Sequence, residues 1–423
     1  MIITGLILIN LALAPLPDTV HLTLDEALTL ALRHSPQAMD AGTTRLQAIT
    51  ALVQGVSPVL PEPSLTITGT REETTATYWN SNITLNQVVF NPAVFAGFIS
   101  GIINCSYYKL DARDKIARLV YDVTTDYLTL LKAQLIFFAA RKALEQTAAS
   151  KNLTAERFRL GQASRIDLLR SEAFYAQSRL NLLNAEKAVV VAQEKFKSTA
   201  GLRQDVAIRA TEELTEPVEP PATSPDSLLR LIEKENPTIQ MSTKLATVSR
   251  LNLIAAITRI IPSLTIYRSW NLLDTTFPGD YHTYQERATT TDGIRIQVPL
   301  VNIKELVGTI LDAITGSRRA RAALVRTRLQ LYTSARTALL EWNDALLRYQ
   351  QAKINLDLNR SLHELARGQY ELGAISLVEI LEVEANLAQA EAGYLSALCD
   401  TYIQSAQFGY LLGNTRIKNQ QAR

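Results

Sequence analysis

Two carboxylates stand three residues apart in the second half of the sequence, at Glu379 and Glu382. This spacing places both side chains on one face of a helix. The corresponding stretch of the first half contains Arg165 and Asp167, a charge of each sign. Two interpretations of the acidic pair stay open: a site that attracts cations, or an acidic face that water solvates, as on many coiled coils.

The other residue types that often carry chemistry are isolated in this chain. Cys105 and Cys399 are far apart in the sequence and fit no metal-ligand spacing, and the four histidines occur singly. We therefore expect no disulfide framework, no metal site and no cofactor. The 43 basic and 41 acidic residues give a net charge of +2 and are spread along the chain, so nucleic acid is not an expected partner.

The N-terminus is predicted to be a signal peptide. An apolar run from Ile2 to Ala14 is too short to cross a bilayer as a helix, and its end offers small residues for processing. The predicted signal peptide is residues 1–14. Further on, the apolar segment that starts at Ala93 is shorter than the roughly 20 residues of a transmembrane helix. If the chain spans a membrane, strands must do so.

The sequence is a tandem repeat. The stretch RFRLGQASRIDLLRSEAFYAQSRL, from Arg157, returns in altered form as QYELGAISLVEILEVEANLAQAEA, from Gln369. A shift of 212 positions brings Gly161 onto Gly373 and Ser164 onto Ser376. Upstream, PSLTI occurs twice. Chance similarity between helices does not produce such a register, so the whole chain is one unit repeated.

Each repeat predicts the same order of elements. A helix of about 30 residues comes first, with Thr23 or Ser224 as its candidate N-cap, and two strands follow. A very long helix is predicted next, over about 93–160 and again over about 304–372. The predicted domains are repeat 1 (15–202), an inter-repeat linker (203–224), repeat 2 (225–413) and a C-terminal tail (414–423).

Both long helices are predicted to end in a hairpin turn. Gly161 and Gly373 stand where a helix C-cap is expected, and Ser164 and Ser376 can cap the helix that returns. The returning helices carry apolar seams in heptad spacing, which indicates coiled-coil packing. The two seams are Ile166, Leu169, Ala173, Ala176, Leu180, Leu183, Lys187, Val190 and Val378, Leu381, Ala385, Ala388, Ala392, Leu395, Cys399, Tyr402. Cys399 is therefore predicted to be a small buried hydrophobe.

The strands show alternating apolar and polar residues, most clearly in GIRIQVPL, from Gly293. Aromatic residues surround them and are candidates for a membrane-interface girdle: Tyr78, Trp79, Phe90, Tyr267, Trp270, Phe277, Tyr281 and Tyr284. Four strands cannot close a membrane barrel alone, because open edges in lipid leave backbone groups unpaired. Three chains would supply twelve strands.

Taken together, the LDEAL helix, the PSLTI strand, the long helix and the RFRLGQASRIDLLRSE turn resemble the TolC-type outer-membrane efflux protein family. The resemblance implies a mainly helical fold with a small transmembrane β part. In it, long coiled-coil helices form an α-barrel tunnel joined to a 12-stranded β-barrel that three chains share. It implies no catalysis and a homotrimer in contact with outer-membrane lipid, with the helices in the periplasm.

The same resemblance implies a passive exit duct for drugs or other small molecules, or for type I secretion. Its partners would be a periplasmic adaptor (membrane fusion) protein and an inner-membrane transporter that supplies the energy. Glu379 and Glu382 map onto the acidic ring of the family's periplasmic entrance, and Tyr370 and Asp167 are retained there. Ile375 stands where the best-known member has a gate arginine, so Arg165 is our candidate for pairing with a carboxylate.

Three alternatives differ in what they leave unexplained. A periplasmic coiled-coil adaptor should carry one hairpin rather than two equivalent units. A spectrin-like rod would explain the heptads but neither the apolar leader nor the alternating strands. An outer-membrane component for heavy-metal cations fits the length of the chain, but no histidine or methionine cluster favours it.

Overall fold

The computed structural model describes residues 19–71, 78–212, 214–217, 219–221, 225–275, 277, 282, 286–299 and 303–413. The predicted signal peptide, Ser224, Tyr281, Tyr284 and the C-terminal tail lie outside these residues. The elements are, in order, β1 Thr19–Leu22, α1 Leu24–His34, α2 Pro36–Val56, β2 Glu62–Thr70, β3 Tyr78–Phe90, α3 Pro92–Arg159, α4 Arg165–Ala200, β4 Ala207–Ala210, α5 Pro225–Glu235, α6 Pro237–Ile257, β5 Ser263–Asp274, β6 Thr289–Gln297, α7 Ile303–Glu371 and α8 Leu377–Leu411.

The first helix of each repeat is two helices, so the prediction of one helix of about 30 residues is wrong. The breaks fall at Ser35 and Asn236, each directly before a proline. Proline lacks an N–H and disfavours helical geometry in the residue before it, so the chain stops and restarts there. Thr23 caps α1 as predicted, with Glu26 completing the capping box.

The long helices run without interruption for 68 residues in α3 and 69 residues in α7. At about 1.5 Å per residue, each is roughly 100 Å long. Among the described residues, no helix is both long enough and apolar enough to cross a membrane.

The four predicted strands form one antiparallel sheet in the order β2-β3-β5-β6, so the strands of the two repeats meet at β3 and β5. Ile83 pairs with Trp270, and the register shifts once, between Val88 and Phe90. Within one chain this sheet is open, with β2 and β6 at its edges. Of the predicted aromatic group, Trp79 packs edge-on against Phe277.

A second, smaller sheet was not predicted. The four-residue strands β1 and β4 pair in parallel, and β4 lies inside the segment predicted to be a plain linker. This sheet packs on an apolar core that includes Tyr127, Phe196 and Ile208. The Tyr127 hydroxyl donates to the Leu22 carbonyl at 2.9 Å, and burial raises the pKa of Tyr127 to about 12.

The chain folds into two compact units that each take in parts of both repeats. Of the described residues, those within 19–39, 115–235 and 332–413 form one unit, and those within 40–114 and 236–331 form the other. The first unit contains the β1–β4 sheet and both hairpin turns, and the second contains the four-stranded sheet. The repeat boundaries predicted from the sequence stay a prediction.

Candidate functional site

The two hairpin turns share one backbone motif. Gly161 and Gly373 have φ of 74° and 75°, in the left-handed region that glycine adopts without strain. The Gly161 N–H donates to Phe158 at 3.0 Å and the Gln162 N–H to Arg157 at 2.7 Å. The second turn has the same bonds. They satisfy the last carbonyls of α3 and α7 and allow the chain to reverse.

The helices that leave both turns begin with a capping box. Ser164 accepts from the Asp167 N–H, and the Asp167 carboxylate accepts from the Ser164 N–H at 3.1 Å. In the second turn, Ser376 and Glu379 make the same exchange, with the Ser376 N–H to Glu379 distance at 2.8 Å. The hydrogen bonds from Ser164 hold the pKa of Asp167 below its usual range. Two of the predicted gate carboxylates thus also stabilise their own helix N-termini.

The second carboxylate of the acidic pair differs from the first. Glu382 is exposed, one turn after the capping box, and among the residues described in this structure it has no hydrogen-bond or ion-pair partner. Its charge is therefore available to another chain or to a passing ion. The gate role of Glu382 stays a prediction.

A contact between the two hairpins was missed by the sequence analysis. Arg157, two residues before the end of α3, donates to the Tyr370 hydroxyl at 2.8 Å. Its guanidinium also lies 5.0 Å from the centre of the Tyr370 ring. Both residues are half-buried. This pair, which we call the tip clip, fastens the end of α3 to the end of α7.

Arg165 takes a different partner from the expected carboxylate within the chain. Its guanidinium lies 5.9 Å from the centre of the Phe158 ring, across the first turn. Among the described residues it forms no ion pair. The predicted pairing of Arg165 with a carboxylate stays a prediction.

A half-buried carboxylate above the tip was also missed. Glu384, on α8, accepts from the Ser150 hydroxyl of α3 at 3.4 Å. Burial raises the pKa of Glu384, while Ser150 and the charge of Arg367 on α7 act in the opposite direction. Its counterpart in repeat 1, Glu172, is exposed. The sequence shows both glutamates but not this difference in burial.

Contacts in the first unit set the order of its long helices. Lys195 of α4 pairs with Asp126 of α3 at 2.7 Å, and Lys132 of α3 pairs with Asp400 of α8 at 2.9 Å. In turn, α8 packs on α7 through Trp342–Phe408 and Tyr349–Tyr394 ring contacts. Helix α8 thus lies beside α3 and α7, and α4 lies beside both α3 and α8.

The two predicted heptad seams differ in burial. The seam of α8 is largely packed, and Cys399 in it is 0% exposed, which confirms that it is a buried hydrophobe. The seam of α4 is exposed within the chain, with Leu180 at 49%. Helix α4 packs on its neighbours through another face that includes Leu168, Ala185 and Phe196. The apolar seam of α4 therefore has the spacing of a packing surface but is exposed within the chain.

Helix α7 carries a matching open stripe. Its exposed apolar residues recur at intervals of seven and four: Leu340, Leu347, Ile354, Leu358 and Leu365. Helices α4 and α7 thus both present heptad stripes that the described residues of the chain do not cover. Stripes of this kind are typical of helices that pack against a further helix.

Solved structures share this architecture. The outer membrane channel CmeC of Campylobacter jejuni matches with a TM-score of 0.79 and 17% identity, over 92% of this chain and 85% of that one. The outer membrane protein VceC of Vibrio cholerae matches with a TM-score of 0.79 and 14% identity, over 92% and 96%. The MtrE outer membrane channel of Neisseria gonorrhoeae, in its open state, matches with a TM-score of 0.77 and 14% identity, over 93% and 89%.

The fold is that of outer membrane channels. The predicted resemblance to TolC-type outer-membrane efflux proteins is therefore confirmed at the level of the fold. The sequence itself matches no protein-family model and no curated protein.

The described part of this channel-like fold contains no group of three or more His, Cys, Asp or Glu side chains arranged to hold a metal ion. Both cysteines are buried free thiols, and burial raises the pKa of Cys399 to about 12. The residues that stand out are instead those of the hairpin turns and of the two open stripes.

Proposed function

We propose that the protein is the exit duct of an efflux system: a homotrimeric outer-membrane channel whose helices form a tunnel in the periplasm. Compounds pass through it passively, and an inner-membrane transporter, reached through a periplasmic adaptor protein, supplies the energy. The observation that carries the proposal is the pair of open stripes on α4 and α7.

The stripes match in position as well as in kind. Leu180 stands 19 positions after Gly161, and Ile354 stands 19 positions before Gly373. In the same way, Leu169 stands 8 positions from its turn, as does Leu365. The tip clip holds the two hairpin ends together. The stripe of one chain can therefore meet that of the next chain level by level.

The kind of contact favours a closed ring. Helix α4 of one chain would pack on α7 of the next, so each interface joins two different surfaces. Such head-to-tail interfaces generate rings when the rotation closes and open filaments when it does not. A ring of three would contain twelve long helical segments around one axis, which is the tunnel that the resemblance implies.

The four-stranded sheet also favours an assembly of three chains. Its edge strands β2 and β6 each leave a row of backbone groups unpaired within the chain. Three four-stranded sheets joined edge to edge would form a 12-stranded barrel without free edges, which a bilayer requires. We assign the alternating strands β2, β3, β5 and β6 to the membrane-spanning part.

The hairpin turns would form the periplasmic entrance in this assembly. Threefold symmetry would bring three copies of Glu379 and Glu382 around the axis, where close carboxylates favour cations. Asp167, Arg165 and Tyr370 would contribute to the closed state. We expect Arg165→Gln to raise the leak of an antibiotic that the closed channel excludes, and an unchanged permeability would remove Arg165 from the gate.

The experiment is to purify the full chain from outer membranes in detergent and measure its mass by light scattering. Single-channel conductance of the same sample in planar bilayers completes the test. A conducting trimer supports the proposal, and a soluble monomer or dimer without conductance overturns it. Leu180→Glu places a charge on the α4 stripe and should dissociate the trimer. Asn181→Glu, its exposed neighbour off the stripe, is the matched control.

A further inference from the structure

Helix α7 carries a run of arginines without acidic residues nearby in the sequence. Residues 318–328, which we call the arginine belt, contain five arginines. They are Arg318, Arg319, Arg321, Arg326 and Arg328. Neither residues 313–340 of α7 nor α6, the helix that packs on it, contain Asp or Glu. The equivalent segment of repeat 1, residues 106–116, contains three basic and two acidic residues, so the excess charge belongs to repeat 2.

Four of the belt arginines, all except Arg328, are exposed and form no ion pair with another described residue. Other exposed arginines on the long helices do pair: Arg141 with Glu145 at 3.3 Å, and Arg348 with Asp344 at 2.7 Å. Like charges one helical turn apart destabilise a helix. The charge of the belt is therefore left for an anion from outside the chain.

The packing of α7 on α6 fixes the direction of the belt. The Ser242 hydroxyl of α6 lies 3.5 Å from the Thr327 hydroxyl of α7, so Thr327 faces α6. Leu329 lies on nearly the opposite side of α7, at about 100° per residue, and is 64% exposed. Measured from Leu329, Arg319 lies about 80° to one side and Arg321 about 80° to the other. The belt therefore places arginines on both flanks of α7.

This arrangement puts arginine into the tunnel whichever flank of α7 faces it. In the ring that we propose, α7 lies between α6 of its own chain and a helix of the next chain. One flank of α7 then faces the tunnel and the other faces the periplasm. Either Arg319 or Arg321 of each chain therefore faces the tunnel, and threefold symmetry gives at least three guanidinium groups there.

We propose that the arginine belt makes the duct selective for anions, so that its cargo includes compounds that carry carboxylate or phosphate groups. The planar guanidinium binds such groups through two parallel hydrogen bonds. The acidic pair at the entrance does not cancel the belt, because Arg326 precedes the turn at Gly373 by 47 positions, or roughly 70 Å of helix. Charges in water are screened beyond about 10 Å at 0.1 M salt. The inference rests on the proposed trimeric duct and adds the charge of its cargo.

The test is the block of single-channel current by inorganic tripolyphosphate, a small multivalent anion, in planar bilayers at about 0.1 M KCl. Arg319→Gln, Arg321→Gln and Arg326→Gln are combined so that both flanks of α7 lose their charge. A cleft lined by one sign of charge raises the local concentration of counter-ions about tenfold or more. We therefore expect the half-blocking concentration of tripolyphosphate to rise about tenfold in the variant, and the preference for chloride over potassium to fall.

The matched control conserves the charge: Arg319→Lys, Arg321→Lys and Arg326→Lys are combined, and this variant should be blocked like the wild type. Both variants change exposed positions to good helix formers, so both should remain trimers by light scattering. A wild-type current without block, or equal block in the wild type and the glutamine variant, overturns the inference. So does a lysine variant that behaves like the glutamine variant. A wild-type protein that is not a conducting trimer contradicts the channel proposal instead, so the two failures are distinguishable.

Discussion

The tip clip makes a quantitative prediction about opening of the hairpin ends. Arg157→Gln removes both a charged hydrogen bond of 2.8 Å and a guanidinium–ring contact of 5.0 Å. For a half-buried pair, we take the hydrogen bond to contribute about 1 kcal/mol and the guanidinium–ring contact to contribute about 1 kcal/mol. A loss of about 2 kcal/mol changes an equilibrium about thirtyfold. Each chain with this change should release its hairpin ends about thirty times more often.

Tyr370→Phe separates the two contributions. It removes the hydroxyl and keeps the ring, so the loss is about 1 kcal/mol, or about fivefold. Because both changes break the same contact, the double variant should match Arg157→Gln alone rather than the product of the two effects. Arg159→Gln is the control, since among the described residues Arg159 pairs only with Glu156 of its own helix, at 2.9 Å.

The assay is the fraction of time that single channels stay open in planar bilayers, for the wild type, the three single variants and the double variant. The expected order is wild type equal to Arg159→Gln, then Tyr370→Phe, then Arg157→Gln. Effects of Arg157→Gln and Tyr370→Phe that multiply would show that the two residues act independently. An unchanged open fraction would show that the clip does not hold the tip.

Three further predictions concern stability. Gly101→Ala should lower the temperature of unfolding, because its Cβ would meet backbone at 2.5 Å, whereas Gly97→Ala meets nothing within 4 Å and should not. Glu384→Gln should stabilise the protein at neutral pH. Because burial raises the pKa of Glu384, its ionised form destabilises the folded state. This destabilisation is complete when the pH is above the pKa of the folded state, and it disappears as the pH falls below the pKa of the unfolded chain. The unfolding temperature of Glu384→Gln should therefore depend less on pH between pH 4 and 7 than that of the wild type. Glu172→Gln, at the exposed equivalent position, should change neither the unfolding temperature at neutral pH nor its pH dependence. A change there would show that the assignment to burial is wrong. Phe196→Ala, at a fully buried site, should cost about 3–5 kcal/mol in chemical unfolding, and a cost below about 1 kcal/mol would contradict its place in the core.

The parts of the fold that depend on local signals were predictable. The hairpin turns were predicted from Gly161 and Gly373, which adopt the left-handed conformation, and from the helix caps Ser164 and Ser376. The long helices α3 and α7 were predicted because no proline interrupts them. Local chemistry of this kind acts over a few residues, so it can be read without knowing the partners. The breaks before Pro36 and Pro237 also depend on a local signal, because proline disfavours helical geometry in the residue before it, so the sequence contained what was needed to predict them.

The missed features depend on contacts between distant segments. The strand β4 has four residues in a proline-rich stretch, and only its pairing with β1 makes it a strand. Arg157 and Tyr370 are 213 positions apart, and nothing in either neighbourhood indicates the other. The seam of α4 had the right spacing, but spacing cannot distinguish a face that packs within the chain from one left for another chain.

The most direct test of the central claim is a cross-link between the two stripes. Leu180→Cys and Ile354→Cys are combined in a chain whose Cys105 and Cys399 are changed to alanine, and the purified protein is oxidised. Disulfides need Cα atoms within about 7 Å, so only a level contact can form one. Leu180→Cys with Leu340→Cys, which are offset by about 20 Å along the helices, is the control. The account predicts covalent trimers for the first pair and monomers for the control, whereas monomers for both would contradict the packing of α4 on α7 of the next chain.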